Sequence, residues 1–176
     1  MRSLPHEHGA SLIEVMMSVL VFSVGLIGLA GLMMMATRSN HAAYLRTQVT
    51  FLASNMANRM SANPVGVWNG SYNSHAYPVS DSAPGCGSGA GCGPVALAMH
   101  DQMLWSRQLK TFLPNPSATI QCGGGASVGY DATPQFNLRP PYGGNCAMSI
   151  SWSESGTGDE SHRGNVTQTF GWEFQP

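Results

Sequence analysis

Residues 9–37 read GASLIEVMMSVLVFSVGLIGLAGLMMMAT, and from Ala10 to Thr37 the one ionisable residue is Glu14. The core of this run, Leu12 to Ala36, is 25 residues long and as a helix would measure about 37 Å. A bilayer core is roughly 30 Å thick, so the run predicts a membrane-spanning helix that tilts or protrudes on one side. A buried helix of a soluble domain is the bland alternative, but a domain this small cannot surround a helix so apolar on every face. A secretory signal peptide would have an apolar region of roughly 7–15 residues closed by a small-x-small site. This run is longer, and no such site follows it.

Glu14 is the informative residue. A carboxylate costs roughly 2.5–3.5 kcal/mol at mid-bilayer, less near the interface, and marks function by default. No basic residue in the helix can neutralise it. The short stretch before the run, Met1 to Gly9, carries Arg2, His6, Glu7 and His8. A cut after Gly9 would expose an α-amine at Ala10, with an ordinary pKa of about 7.7–8.0 and so charged at neutral pH.

Gly9-Ala10-Ser11-Leu12-Ile13-Glu14-Val15 followed by an unbroken apolar helix resembles the type IV prepilin signal. That pattern joins a short charged leader, a glycine before the cut, an acid at the fifth position after it, and a long helix. The resemblance implies that a prepilin peptidase cleaves between Gly9 and Ala10 and that the new amine at Ala10 is methylated. It also implies that Glu14 of one subunit pairs with the amine of a neighbour during assembly. The chain departs from the family at Ala10, where a phenylalanine or another large apolar residue is usual.

Within the helix Gly25, Gly28 and Gly31 recur every three residues, with Ser18, Ser23 and Ala30 nearby. Small residues let membrane helices approach closely. Met33-Met34-Met35 reads as adaptable apolar packing rather than a copper site. After Thr37 the pattern becomes amphipathic, with Leu45, Val49, Leu52, Met56 and Met60 at steps of three or four. It predicts that the same helix continues to Asn63-Pro64, where the residue before proline disfavours helix. A coiled coil is excluded by too few heptads.

Charged residues make up 10 % of the 176-residue chain and the net charge is −1, against roughly a quarter charged in ordinary soluble domains. The eight lysines and arginines form no run, which excludes nucleic acid and an anionic-lipid patch. Cys86, Cys92, Cys122 and Cys146 lie outside the apolar run amid glycine-rich loops, so they predict two disulfides in an oxidising compartment. Zinc competes poorly, because no pair has CxxC spacing and no histidine is close. Three connectivities are open; pairing neighbours in the chain favours Cys86–Cys92 and Cys122–Cys146. Since Arg2 flanks one end of the span and Arg38 and Arg46 the other, charge does not set the orientation. The cysteines place the C-terminal part on the oxidising side.

Residues 65–93 read as loop, without the GxxxxGK[ST] of a phosphate cradle. Asn69-Gly70-Ser71 and Asn165-Val166-Thr167 match a glycosylation pattern and read as incidental. Val95 to Leu113 predicts a second helix, with Leu97, Leu104, Trp105, Leu109 and Phe112 as its apolar stripe and Pro114 as its stop. Adjacent in sequence, His100 and Asp101 point apart and form no catalytic pair; His100 is expected in solvent. Met148–Trp152 and Val166–Phe174 alternate apolar with polar residues and predict antiparallel strands, with Ala118–Cys122 a shorter one. Trp152 and Trp172 read as core rather than as a sugar platform. No Ser-His-Asp order supports catalysis, so no enzyme, cofactor or metal is expected.

Cys92-Gly93-Pro94, Asp101, Trp105, Leu109, Leu113-Pro114, Ile120 and Cys122 add to the resemblance. They are similar to the pattern of minor pilins of the PilV type, the type IV pilus modification proteins. This implies a leader at 1–9, a transmembrane segment at 10–37, its amphipathic continuation at 38–63 and a periplasmic domain at 64–176. The expected fold is α+β and pilin-like: a long N-terminal helix packed on a small antiparallel sheet, stapled by disulfides. The implied role is a minor subunit held in the inner membrane and then built into a priming or tip complex of the pilus. It would serve pilus biogenesis, twitching motility or adhesion. Implied partners are the prepilin peptidase, other minor pilins, the major pilin and the inner-membrane assembly platform. A pseudopilin of type II secretion shares the leader and helix. A membrane-tethered periplasmic enzyme or binding protein, of another class, would need no Glu14.

Overall fold

The computed structural model describes residues 9, 11–80, 82, 86, 91–123, 142–155 and 164–176. Its elements are α1 (Leu12–Ala62), α2 (Pro64–Trp68), β1 (Ser74–Tyr77), α3 (Pro94–Phe112), β2 (Ser117–Gly123), β3 (Asn145–Ser155) and β4 (Asn165–Phe174). They form the expected α+β architecture. The chain divides into two compact units, 1–41 and 42–176.

In the first unit every residue from Ser11 to His41 is exposed. The hydroxyls of the apolar run are satisfied within the helix. Ser18 donates to the Val15 carbonyl at 2.8 Å, Ser23 to Val19 at 2.7 Å and Thr37 to Met34 at 2.9 Å. This back-bonding hides polar groups that lipid could not solvate.

The second unit holds the core. Leu45, Val49, Leu52, Ala53, Met56 and Met60 of α1 are buried at the predicted spacing and join Ala98, Trp105 and Leu109 of α3. The same core takes Ala118 and Ile120 from β2 and Met148, Ile150 and Trp152 from β3. The sheet is antiparallel throughout, in the order β1-β2-β3-β4. Strict alternation on β3 sends Met148, Ile150 and Trp152 inward and leaves the intervening serines on the other face.

α1 ends where the proline rule places it, but 65–93 is not all loop. Asn63 leaves helical geometry (φ −128°, ψ 63°) and its Oδ1 accepts the Gly66 amide, starting the short α2 with Pro64 in the first turn. Asparagine caps and proline at the first helical position both favour this restart. β1 follows and pairs with β2, after Gly70 takes the left-handed region at φ +68° in the turn between α2 and β1. Four residues with one neighbour carry too little alternation to be seen as a strand in sequence. α3 begins at Pro94 and stops at Phe112 because Pro114 pushes Leu113 into extended backbone (φ −121°). Asn115, at φ 47°, then turns the chain into β2, a conformation asparagine tolerates.

Candidate functional site

Two places concentrate polar groups against an apolar background. The first is the head of α1. Ser11 contributes the carbonyl that accepts the Glu14 and Val15 amides at 3.0 and 3.2 Å, so Glu14 lies in the first turn. An acid is favoured there by the helix dipole. Among the described residues Glu14 has no side-chain hydrogen bond and no ion pair, while Leu12, Ile13, Val15 and Met16 around it are exposed. Gly9 is exposed; Ala10 lies outside the described residues. Gly25, Gly28 and Gly31 have open space where a Cβ would stand, leaving shallow steps on the helix surface. α1 is long and apolar enough to cross a membrane, and none of that apolar window is buried.

The second place joins α1, α2 and α3. Arg59 Nη1 donates to Asp101 Oδ1 at 2.9 Å, and Arg59 Nε to Asn55 Oδ1 at 2.8 Å. The other carboxylate oxygen of Asp101 accepts from the Tyr72 hydroxyl at 2.8 Å. Asn63 Nδ2 donates to Tyr72 Oη at 3.1 Å and to the Pro94 carbonyl at 2.8 Å. Tyr77 donates to the Tyr72 carbonyl at 2.9 Å, and Gln102 Nε2 to the Ser71 carbonyl at 2.6 Å. Burial raises the Tyr72 and Tyr77 pKa values well above the ordinary tyrosine range, so both hydroxyls stay protonated donors. Trp105 Nε1 completes the junction by donating to the Leu52 carbonyl at 2.9 Å. These bonds tie α1, the Asn63 cap of α2, Tyr72 and α3 to one another. The arrangement positions the three helices.

Two disulfides staple the domain. Cys86–Cys92 closes a short loop beside the start of α3, with Cα atoms 5.5 Å apart. Cys122–Cys146 joins directly opposed residues of β2 and β3, with Cα atoms 4.0 Å apart. These are the pairs favoured from chain neighbourhood. Asn73 reinforces the second by accepting the Cys122 amide at 2.8 Å. His100 departs from expectation: it is half-buried, with Nδ1 sealed and without a partner. It sits beside Asp101 on the helix and points elsewhere, as adjacency requires.

The sequence does not single out Arg59 or Tyr72, and it offers Asp101 only as a neighbour of His100 unable to form a catalytic pair and as part of the resemblance. The available signal was a lone arginine between Met56 and Met60 in a chain poor in charge. Neither a family model, nor a curated protein, nor a solved structure matches the chain.

Proposed function

We propose that this chain is a minor pilin of the PilV type. It is made with a leader ending at Gly9, held in the inner membrane by α1 with its domain in the periplasm, and built into a type IV pilus. The observation that carries the reading is Glu14: among the described residues, one unpartnered acid in the first turn of a helix whose run from Leu12 to Ala36 is otherwise without charge and exposed on all sides. A plain membrane anchor has no use for such an acid, which lipid opposes. An assembling helix does, because its charge is matched when a neighbour brings an amine.

In this reading a prepilin peptidase frees the Ala10 amine, which is methylated. The Glu14 carboxylate of an incoming subunit then pairs with the Ala10 amine of one already docked. The ion pair forms among helices, away from water, where Coulomb attraction is strongest. The glycine steps at Gly25, Gly28 and Gly31 let sister helices close up. Other minor pilins, the major pilin and the inner-membrane platform supply the neighbours, and the assembly supports pilus biogenesis, twitching motility or adhesion.

Amino-terminal sequencing of the mature protein together with a Glu14→Ala variant tests this. The mature chain should begin at Ala10, and Glu14→Ala should stay in the membrane fraction but disappear from sheared pili. An intact Met1 on functional protein, or normal incorporation of Glu14→Ala, rules the mechanism out.

A further inference from the structure

Among the described residues β4 is an open edge of the sheet. It pairs with β3 in unbroken register over its whole length, from Asn165 opposite Ser155 to Phe174 opposite Cys146, and no described strand lies on its other side. At ten residues it is longer than the usual strand of about 5–6. Natural edges of this kind are guarded by lysine, proline, a bulge or a short length. β4 has none of these; Glu173 is its single charge. The opposite edge, β1, is four residues long and irregular in register. On the core side of β4, Phe170, Trp172 and Phe174 are only half-buried, and the last two rings stack with centroids 4.9 Å apart. The outer face, with Thr167, Thr169, Gly171 and Glu173, is exposed.

A row of unpaired amides and carbonyls is matched only by another extended strand. That strand must place large apolar residues over the aromatic shelf, small polar ones on the other face, and no acid opposite Glu173. The β4 of a second copy meets these terms. Antiparallel pairing about Phe170 sets Phe170 against its own twin and Trp172 against Gln168, while Thr169 meets Gly171 and Glu173 meets Thr167. Face matches face, and no like charges oppose. We propose that two copies of this chain associate through β4 into one continuous eight-stranded sheet. The contact is isologous and closes on itself, and it does not rest on the pilin reading.

The full chain in detergent micelles, followed by sedimentation equilibrium between about 2 and 100 µM, should show a monomer–dimer equilibrium in the micromolar range. Amide exchange along β4 should slow as concentration rises. In Thr169→Lys/Gly171→Lys, lysine opposes lysine in every same-face register centred from 169 to 171, and dimerisation should weaken by roughly tenfold or more. Both positions face solvent, so circular dichroism and the melting temperature should hold. Gly171→Lys alone, where a Cβ meets nothing, serves if the double variant fails to fold and should weaken the dimer to a lesser degree. A monomer at every concentration overturns the proposal. So does a dimer indifferent to the lysines whose β4 exchange ignores concentration, since association would then run through α1.

Discussion

Arg59 Nη1 stands 2.9 Å from Asp101 Oδ1, linking α1 to α3 across 42 residues of sequence. The carboxylate is nearly buried and the guanidinium a quarter exposed. Removing one partner of a buried pair costs about 3–5 kcal/mol, and the exposure of Arg59 places this pair at the lower end. Asp101→Ala should therefore destabilise the protein by about 3 kcal/mol, since it also strands the Tyr72 hydroxyl. Arg59→Met should cost less. The double variant Arg59→Met/Asp101→Leu should fall short of the sum of the single losses, as read from denaturant midpoints in a double-mutant cycle. Strict additivity would mean that the two side chains are not coupled.

Gly66 is held by its neighbour. A Cβ there would collide with the side-chain amide of Asn63, which cannot yield without dropping its bonds to Tyr72 and Pro94. Gly66→Ala should cost about 1–3 kcal/mol. Asn63→Ala, which opens the space but removes the cap and two donors, should cost about 2 kcal/mol. In the double variant the steric part of the Gly66 penalty should vanish. Urea titrations monitored by tryptophan fluorescence would check this.

Alkaline pH should unfold the domain through Tyr72 and Tyr77. Their folded pKa values are raised, chiefly by burial, above the ordinary tyrosine value of about 10. The unfolded chain thus releases protons first, and stability, fully present below pH 10, falls as pH climbs through and beyond that value. Tyr77→Phe should flatten the decline between about pH 9.5 and 11, at the cost of the hydrogen bond to the Tyr72 carbonyl. Denaturation midpoints across that range give the slope; an unchanged slope in Tyr77→Phe would remove the residue from the account.

The two disulfides should differ in weight. Cys122–Cys146 spans a sequence separation of 24 and Cys86–Cys92 one of 6. In the chain-entropy model the longer loop contributes about 3.5 kcal/mol and the shorter about 2.4 kcal/mol. Replacing each pair with alanines and comparing melting temperatures should reproduce that order. The Cys122–Cys146 loss should exceed its entropic value, because both sulfurs belong to the core between β2 and β3.

Much of the fold could be read from periodicity. α1, α3, β2, β3 and β4 were expected within a few residues of where they lie, since each carries an apolar stripe or alternation long enough to fix a face. α2 and β1 escaped because five- and four-residue elements hold too few periods. Their existence depends on contacts that sequence does not display: the Asn63 cap closing on Gly66, and Asn73 reaching the backbone of Cys122.

What the chain alone determined is the division between an oily helix with a single acid and a small stapled domain. Hydrophobic length and charge are local properties, and Glu14 is conspicuous by its surroundings in sequence. Only the tertiary structure decided that Arg59, Tyr72 and Asp101 meet, and that among the described strands β4 ends the sheet without a guard. Those facts depend on which surfaces pack together, and residues far apart in the chain become neighbours only when burial of the core brings their elements into register.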